Sequence, residues 1–290
     1  MNRFLLQAIA VTLSASATIN CNAFHYRISG TAIDKEYAEG KTIYMRHDKQ
    51  IIDSTVVKDG KYIFEGNLDK SKIARIDITG REFALILIEN GNMEITMTRS
   101  PKYSQPVYIG HTSSTPGNIT LNNIRHYADS ISAKIQKETA RLKEQGLSGN
   151  EIDNHTDSLL HGELLKLWDG HYDDLFGQYI LHCEPMFWAD DNTKSSIVRQ
   201  FGPWLSEQPD TKKFISELET RLKTSEGKPF INITGTDITG SKLSVSDFIG
   251  KGRWILVDMW ASWCGPCIGS IPRLREIAEK YSDRLDIVGI

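Results

Sequence analysis

The stretch Trp254-Ile255-Leu256-Val257-Asp258-Met259-Trp260-Ala261-Ser262-Trp263-Cys264-Gly265-Pro266-Cys267, with Ile268 to Tyr281 behind it, decides how the chain is read. An apolar run gives way to a tight turn and then to a helical period, so the order is strand, turn, helix. Two cysteines spaced Cys-x-x-Cys in such a turn can close a small disulfide, and a helix amino terminus directly after the first stabilises its thiolate. Half of a zinc site is the competing reading. Zinc wants four ligands, however, and there is no second Cys-x-x-Cys and no His in about the last hundred residues. Leu285 to Ile290 adds another apolar strand run, which makes the segment a βαβ unit. Ahead of it, Pro229 to Ile233 and Lys242 to Val245 flank Thr236-Asp237-Ile238-Thr239-Gly240 and read as a hairpin with a loose tip.

Working upstream, residues 24–117 alternate with period two: Tyr26 and Ile28, Ile43 and Met45, Tyr62 and Phe64, Ile76 and Ile78, Ile95 and Met97. These read as the short strands of an antiparallel β domain. Asp59-Gly60 and Asn90-Gly91 each fit a type I′ hairpin turn, whose two central residues need positive φ. His25, His47 and His111 are isolated and read as surface or strand residues rather than ligands. The turn-rich stretch His111 to Gly117 marks a boundary, after which the period changes.

Residues 118–226 read as a helical region. Ile124, Ala128, Ile131, Ile135 and Leu142 recur at helical spacing, and so do Leu160, Leu164, Trp168, Tyr172 and Leu175. Further helix is expected at 192–205 and 210–223, interrupted at Pro203 and Pro209. The aromatic residues of this region, among them Trp168, Tyr172, Phe176 and Trp204, read first as core and second as a groove lining. The histidines here are not spaced as ligands on one helical face, so no metal is called for. Cys183 reads as a buried, unpaired thiol.

At 290 residues, 40% apolar and 24% charged, the chain has ordinary globular composition and room for several domains. A net charge of −3 with scattered basic residues argues against a nucleic-acid partner. Residues 1–23 read as a secretory signal: a positive charge at Arg3, a short apolar run from Phe4 to Leu13, and small residues at Ala15-Ser16-Ala17. Cleavage after Ala17 or Ala23 fits, and Cys21 offers a second reading as the acylated cysteine of a lipoprotein. The apolar run is shorter than the about 20 residues a spanning helix needs.

Leu256-Val257-Asp258-Met259-Trp260-Ala261-Ser262-Trp263-Cys264-Gly265-Pro266-Cys267 resembles the thioredoxin superfamily. With the lead-in Ser246-Asp247-Phe248-Ile249-Gly250-Lys251-Gly252 it looks like the TlpA/ResA-like branch, the exported thioredoxins of bacterial envelopes. The preceding β domain looks like the small module that often accompanies them. The likeness is strong over 227–290, loose over 24–118, and hardly reaches the helical region. It implies that Cys264 is the exposed nucleophile, Cys267 the resolving cysteine, and Asp258 the buried acid that moves the resolving proton. Trp260 and Trp263 would pack under and beside the disulfide, and Gly265 and Pro266 would set its redox poise. Two departures stand out. Ser270 occupies the place where that branch often carries Glu, and the likeness stops at Ile290, ahead of the cis-proline loop that faces the disulfide.

The expectation is therefore a multidomain α+β protein: an N-terminal antiparallel β domain, a helical middle, and an incomplete, truncated C-terminal thioredoxin-like α/β domain. Its function would be thiol-disulfide exchange in the cell envelope, periplasmic after signal cleavage, with protein disulfides as substrates and reduction as the direction. A membrane electron donor would recycle it, no cofactor is implied, and the helical region offers a surface for a homodimer. Two rivals are a thiol peroxidase, which lacks its Pro-x-x-x-Thr-x-x-Cys pattern here, and a non-enzymatic binding or dimerisation module with an inert tail.

Overall fold

A computed structural model describes residues 23–290. The expected signal segment up to residue 22, with Cys21, lies outside them. The chain divides into two compact units, one running to Leu218 and the other comprising Glu219–Ile290. Among the described residues no helix is long and apolar enough to cross a membrane.

The larger unit begins with a sheet. Its strands are β1 (Phe24–Thr31), β2 (Thr42–His47), β3 (Gln50–Val56), β4 (Lys61–Leu68), β5 (Lys72–Asp77), β6 (Glu82–Ile88), β7 (Gly91–Arg99) and β8 (Tyr108–His111), with a short helix α1 (Lys35–Ala38) after β1. The order across the eight strands is β3-β2-β5-β6-β8-β7-β1-β4. The two outermost strands, β3 and β4, are consecutive in the chain and meet at the turn between them through a single bridge, Lys58 to Lys61. That turn is the expected type I′ geometry, with Asp59 at φ 52 and Gly60 at φ 70. Alternate residues point inward, as period two requires, and Tyr26, Ile28, Ile43, Met45, Phe64, Ile76, Ile86 and Met93 form one buried cluster.

The sheet differs from the sequence reading in two places. Asn90-Gly91 does not close a hairpin: β6 and β7 are separated by β8, which pairs parallel with β6 and antiparallel with β7. A methyl group at Gly110 of β8 would lie 2.7 Å from both the Ala84 and Ile95 side chains, so β8 fits this slot because it has no side chain there. β1 and β7 are also parallel, which makes the sheet mixed although most of its pairings are antiparallel.

The helices of this unit are α2 (Pro116–Glu144), α3 (Gly149–Trp168), α4 (Leu175–Ile180), α5 (Glu184–Trp188), α6 (Asp191–Val198), α7 (Pro203–Glu207) and α8 (Pro209–Lys223), the last running past Leu218. α3 opens on a capping box between Ser148 and Glu151. It stops at Trp168, short of the Tyr172 and Leu175 that the periodicity had included, because Gly170 adopts φ 80. Trp168 is fully buried, donates its indole N–H to Met186 Sδ at 3.3 Å, and packs on the rings of Tyr172 and Phe201. Most aromatics of the region are thus core, while Phe187 and Trp204 stay exposed.

Helices and sheet are joined at the first turn of α2. The buried Asn118 amide accepts from Leu87 N at 2.9 Å and donates to Leu87 O at 2.7 Å, and it also donates to Thr115 Oγ1. β8 pairs with β6 only up to Ala84, so the side chain of Asn118 serves the β6 edge where the neighbouring strand has ended. Glu89 accepts from the Thr115 hydroxyl and from Asn118 N, bringing a carboxylate to the helix amino terminus. Between α2 and α3, the buried Glu163 accepts from Tyr127, Lys134 and Lys166, and these partners hold its carboxyl at about 2, below the ordinary 4.5.

Two outcomes are expected. Asn118→Ala strands a buried N–H and C=O of Leu87 and lowers unfolding free energy by about 3 kcal/mol in urea denaturation. Glu163 has a depressed folded pKa, so its contribution is present above pH 4.5 and lost as pH falls towards 2. The stability gap between the parent and Glu163→Gln should therefore shrink by about 2–3 kcal/mol between pH 5 and 2.

Candidate redox-active site

The smaller unit contains the hairpin β9 (Thr234–Thr236) and β10 (Lys242–Ser244), a 3₁₀ turn at Val245–Asp247, then β11 (Trp254–Asp258), α9 (Gly265–Lys280) and β12 (Leu285–Gly289). The Asp237 carboxylate ties the hairpin tip by accepting from Thr239 N and Ser241 N. β11 and β12 pair in parallel, from Trp254 with Leu285 to Asp258 with Gly289, and the connection between them is α9. This is the βαβ unit read from the sequence, and it brings the amino terminus of α9 to the carboxyl end of β11.

Arg253 fixes the opposite end of the unit. Its guanidinium donates to both carboxylate oxygens of Asp286 at 2.9 Å, and to the backbone carbonyls of Ser282, Asp283 and Leu285 at 2.8 to 3.0 Å. The loop between α9 and β12 is thereby held against the start of β11. The sequence reading passed Arg253 over. The signal it had was a cation just before one strand and an acid near the start of the next, two positions out of register with it.

Cys264 is the N-cap residue of α9. Its backbone N donates to Ala261 O at 3.0 Å, its carbonyl accepts from Ile268 N at 3.0 Å, and its Sγ accepts from Cys267 N at 3.3 Å. Sulfur thus stands where a serine or aspartate oxygen caps other helices. Cys264 and Cys267 are joined in a disulfide with Cα atoms 5.3 Å apart, and both residues are half-buried. Pro266 falls in the first helical turn, where a missing N–H costs nothing. Gly265 opens that turn, and no atom would meet a methyl group there. Ser270 donates its hydroxyl to Cys267 O at 2.7 Å.

The remaining predicted residues surround this turn with less cover than expected. Asp258 closes β11 and is half-buried rather than buried, its carbonyl accepting from Ile290 N at 2.9 Å. Trp260 lies over the end of β12: its Nε1 would be 3.1 Å from a methyl group at Gly289, and the residue is 43% exposed. Trp263 is 87% exposed in the turn itself, a correction to the packed position assigned beside the disulfide. A tryptophan flanking the motif signals proximity to the sulfurs, but periodicity does not fix which way an indole in a turn points.

Cys183, in the larger unit, is of the other kind. It is buried, its thiol donates to Tyr179 O at 3.7 Å, and burial pushes the thiol up to about 12. Among the described residues no three His, Cys, Asp or Glu side chains are grouped to hold a metal ion.

Known proteins resemble the chain in two places. A family model described as Thioredoxin matches residues 242–290, and one described as a domain of unknown function (DUF4369) matches residues 26–121. The thiol-disulfide oxidoreductase ResA of Bacillus thuringiensis subsp. konkukian is 36% identical over 62 residues, which are 21% of this chain and 35% of that protein. The thioredoxin-like protein YneN of Bacillus subtilis is 31% identical over 65 residues, 22% of this chain and 37% of the relative. Thioredoxin of Acidithiobacillus ferridurans is 48% identical over 42 residues, 14% and 39% of the two chains. The chain thus spans between about a third and two fifths of the length of these curated relatives. No solved structure matches it significantly. With the βαβ unit and the capped cysteine pair, these matches make the carboxy-terminal segment similar to thioredoxins and to the thiol-disulfide oxidoreductase ResA.

The two classes of thiol should separate chemically. After reduction, iodoacetamide at pH 7 is expected to label Cys264 in the native chain while Cys183 reacts only after unfolding, as read by peptide mapping. Equal native labelling of both would contradict this assignment.

Proposed function

We propose that this protein is a thiol-disulfide oxidoreductase of the bacterial cell envelope that reduces disulfides in other proteins. The observation that carries the reading is the placement of Cys264 Sγ as the cap of α9, bonded to Cys267 and accepting the Cys267 N–H. In the reduced form the same amide and the helix amino terminus favour the Cys264 thiolate, which is the species that attacks.

The reaction runs in two exchanges. The Cys264 thiolate attacks one sulfur of a target disulfide. A mixed disulfide forms, and the target's other sulfur leaves as a thiolate and takes a proton from solvent. Cys267 then loses its proton to the Asp258 carboxylate and attacks Cys264 Sγ, which releases the second target sulfur. Two electrons have moved to the target, and the 264–267 disulfide remains. In an oxidising compartment a membrane electron carrier must return those electrons. The export reading of residues 1–23, by cleavage or through Cys21 as a lipoprotein, supplies the compartment. The exposed indole of Trp263 beside the cysteines offers apolar surface to a target chain.

The test is insulin reduction driven by dithiothreitol with the full chain. Cys264→Ser is expected to abolish turnover and Cys267→Ser to accumulate mixed disulfides that are visible on non-reducing gels. A double variant as active as the parent, or a cysteine pair with no reversible two-electron midpoint, would sink the proposal.

A further inference from the structure

The larger unit contains a cavity of about 600 Å³, within the range of roughly 300–1,000 Å³ found for small-molecule sites. It opens between the tips of the β2–β3 and β4–β5 connections on one side and α4, α7 and the start of α8 on the other. Its apolar lining is Leu87, Leu175, Phe176, Trp204 and Pro209. Trp204 is 38% exposed there, although Trp168 of the same helical region is fully buried. These residues are scattered from the first strands to the eighth helix, which is why no sequence motif announces the cavity.

The charges around it divide into two groups. Two of the four carboxylates are hydrogen-bonded within the protein, and the other two lie near histidines. Asp173 accepts from Leu205 N at 2.8 Å, and Asp174 accepts from Gly177 N and pairs with His171 Nδ1, both at 2.8 Å. Asp48 lies 3.6 Å from His47 Nε2, and Asp210 lies 3.9 Å from His182 Nε2. Lys70 and Lys72 also line the cavity, and neither has an ion-pair partner among the described residues. Lys72 is half-buried and its backbone is fixed in the β5–β6 ladder opposite Ile88. An incoming cation would have to draw Asp173 and Asp174 away from the backbone amides that they hold, whereas an anion meets two ammonium groups without ion-pair partners beside an apolar wall.

We propose that this cavity binds a small organic anion with an apolar body, the anionic group held by Lys70 and Lys72 and the body lying against Phe176 and Trp204. The site is independent of the cysteine chemistry. The probe is 8-anilinonaphthalene-1-sulfonate, with the uncharged N-phenyl-1-naphthylamine as its counterpart, titrated into the full-length protein and followed by fluorescence. The Lys70→Glu/Lys72→Glu variant should bind the sulfonate about tenfold or more weakly, as loss of charge-assisted hydrogen bonds predicts, while affinity for the neutral probe changes by less than about twofold. Trp204→Ala should weaken both probes, and Cys264→Ser should change neither, which keeps this result separate from the fate of the redox reading. Circular dichroism and a urea midpoint matching the parent establish that the lysine variant is folded. Sulfonate binding that survives the lysine reversal in the folded variant, or that falls in parallel with the neutral probe, would overturn the proposal.

Discussion

In the larger unit the arrangement of sheet and helices depends on one side-chain amide. Where β8 has ended, the edge of β6 would present a buried N–H and C=O at Leu87 with no strand to receive them, and Asn118 bonds both. Because Asn118 sits in the first turn of α2, the same bonds set where that helix leaves the sheet. The hydrophobic cluster between α2, α3 and the short helices then follows from how those helices pack on one another around Trp168. A polar tie of this kind fixes one arrangement among many that apolar packing alone would tolerate.

The smaller unit is set up differently. Its cysteine pair lies within four consecutive residues, and the scaffold brings the helix amino terminus that follows Cys264 to the end of the strand that Asp258 closes. Arg253 secures the far end of that unit while the cysteine turn occupies the near one. Position and reactivity are thus handled at opposite ends of β11. Cys183 has the same functional group and none of the activation, since burial disfavours its thiolate.

What could be read from the sequence followed the range of the interactions. Strand, turn and helix around Cys264 are local, and so is the alternation that marks Tyr26, Ile28 and Phe64 as inward-facing; these were legible. Asp59-Gly60 was legible as well, because its geometry depends on two residues alone. Asn90-Gly91 misled because a turn signal states where the chain reverses and not which strand will lie beside it. The insertion of β8 is decided by Gly110 meeting Ala84 and Ile95, residues from three different strands. The exposure of Trp263 and the fork of Arg253 were hidden for the same reason, as was the cavity, whose lining comes from strands, loops and helices over a hundred residues apart.

The spacing of the two cysteines has a further consequence for the folded chain. A cross-link restrains the unfolded ensemble in proportion to the logarithm of the loop it closes, and the 264–267 bond spans a sequence separation of only 3. On the chain-entropy estimate so short a loop is worth about 2 kcal/mol, against nearly 5 for one of a hundred residues. Opening or closing this disulfide therefore changes the electron count of the protein by two while contributing little to the stability of its fold.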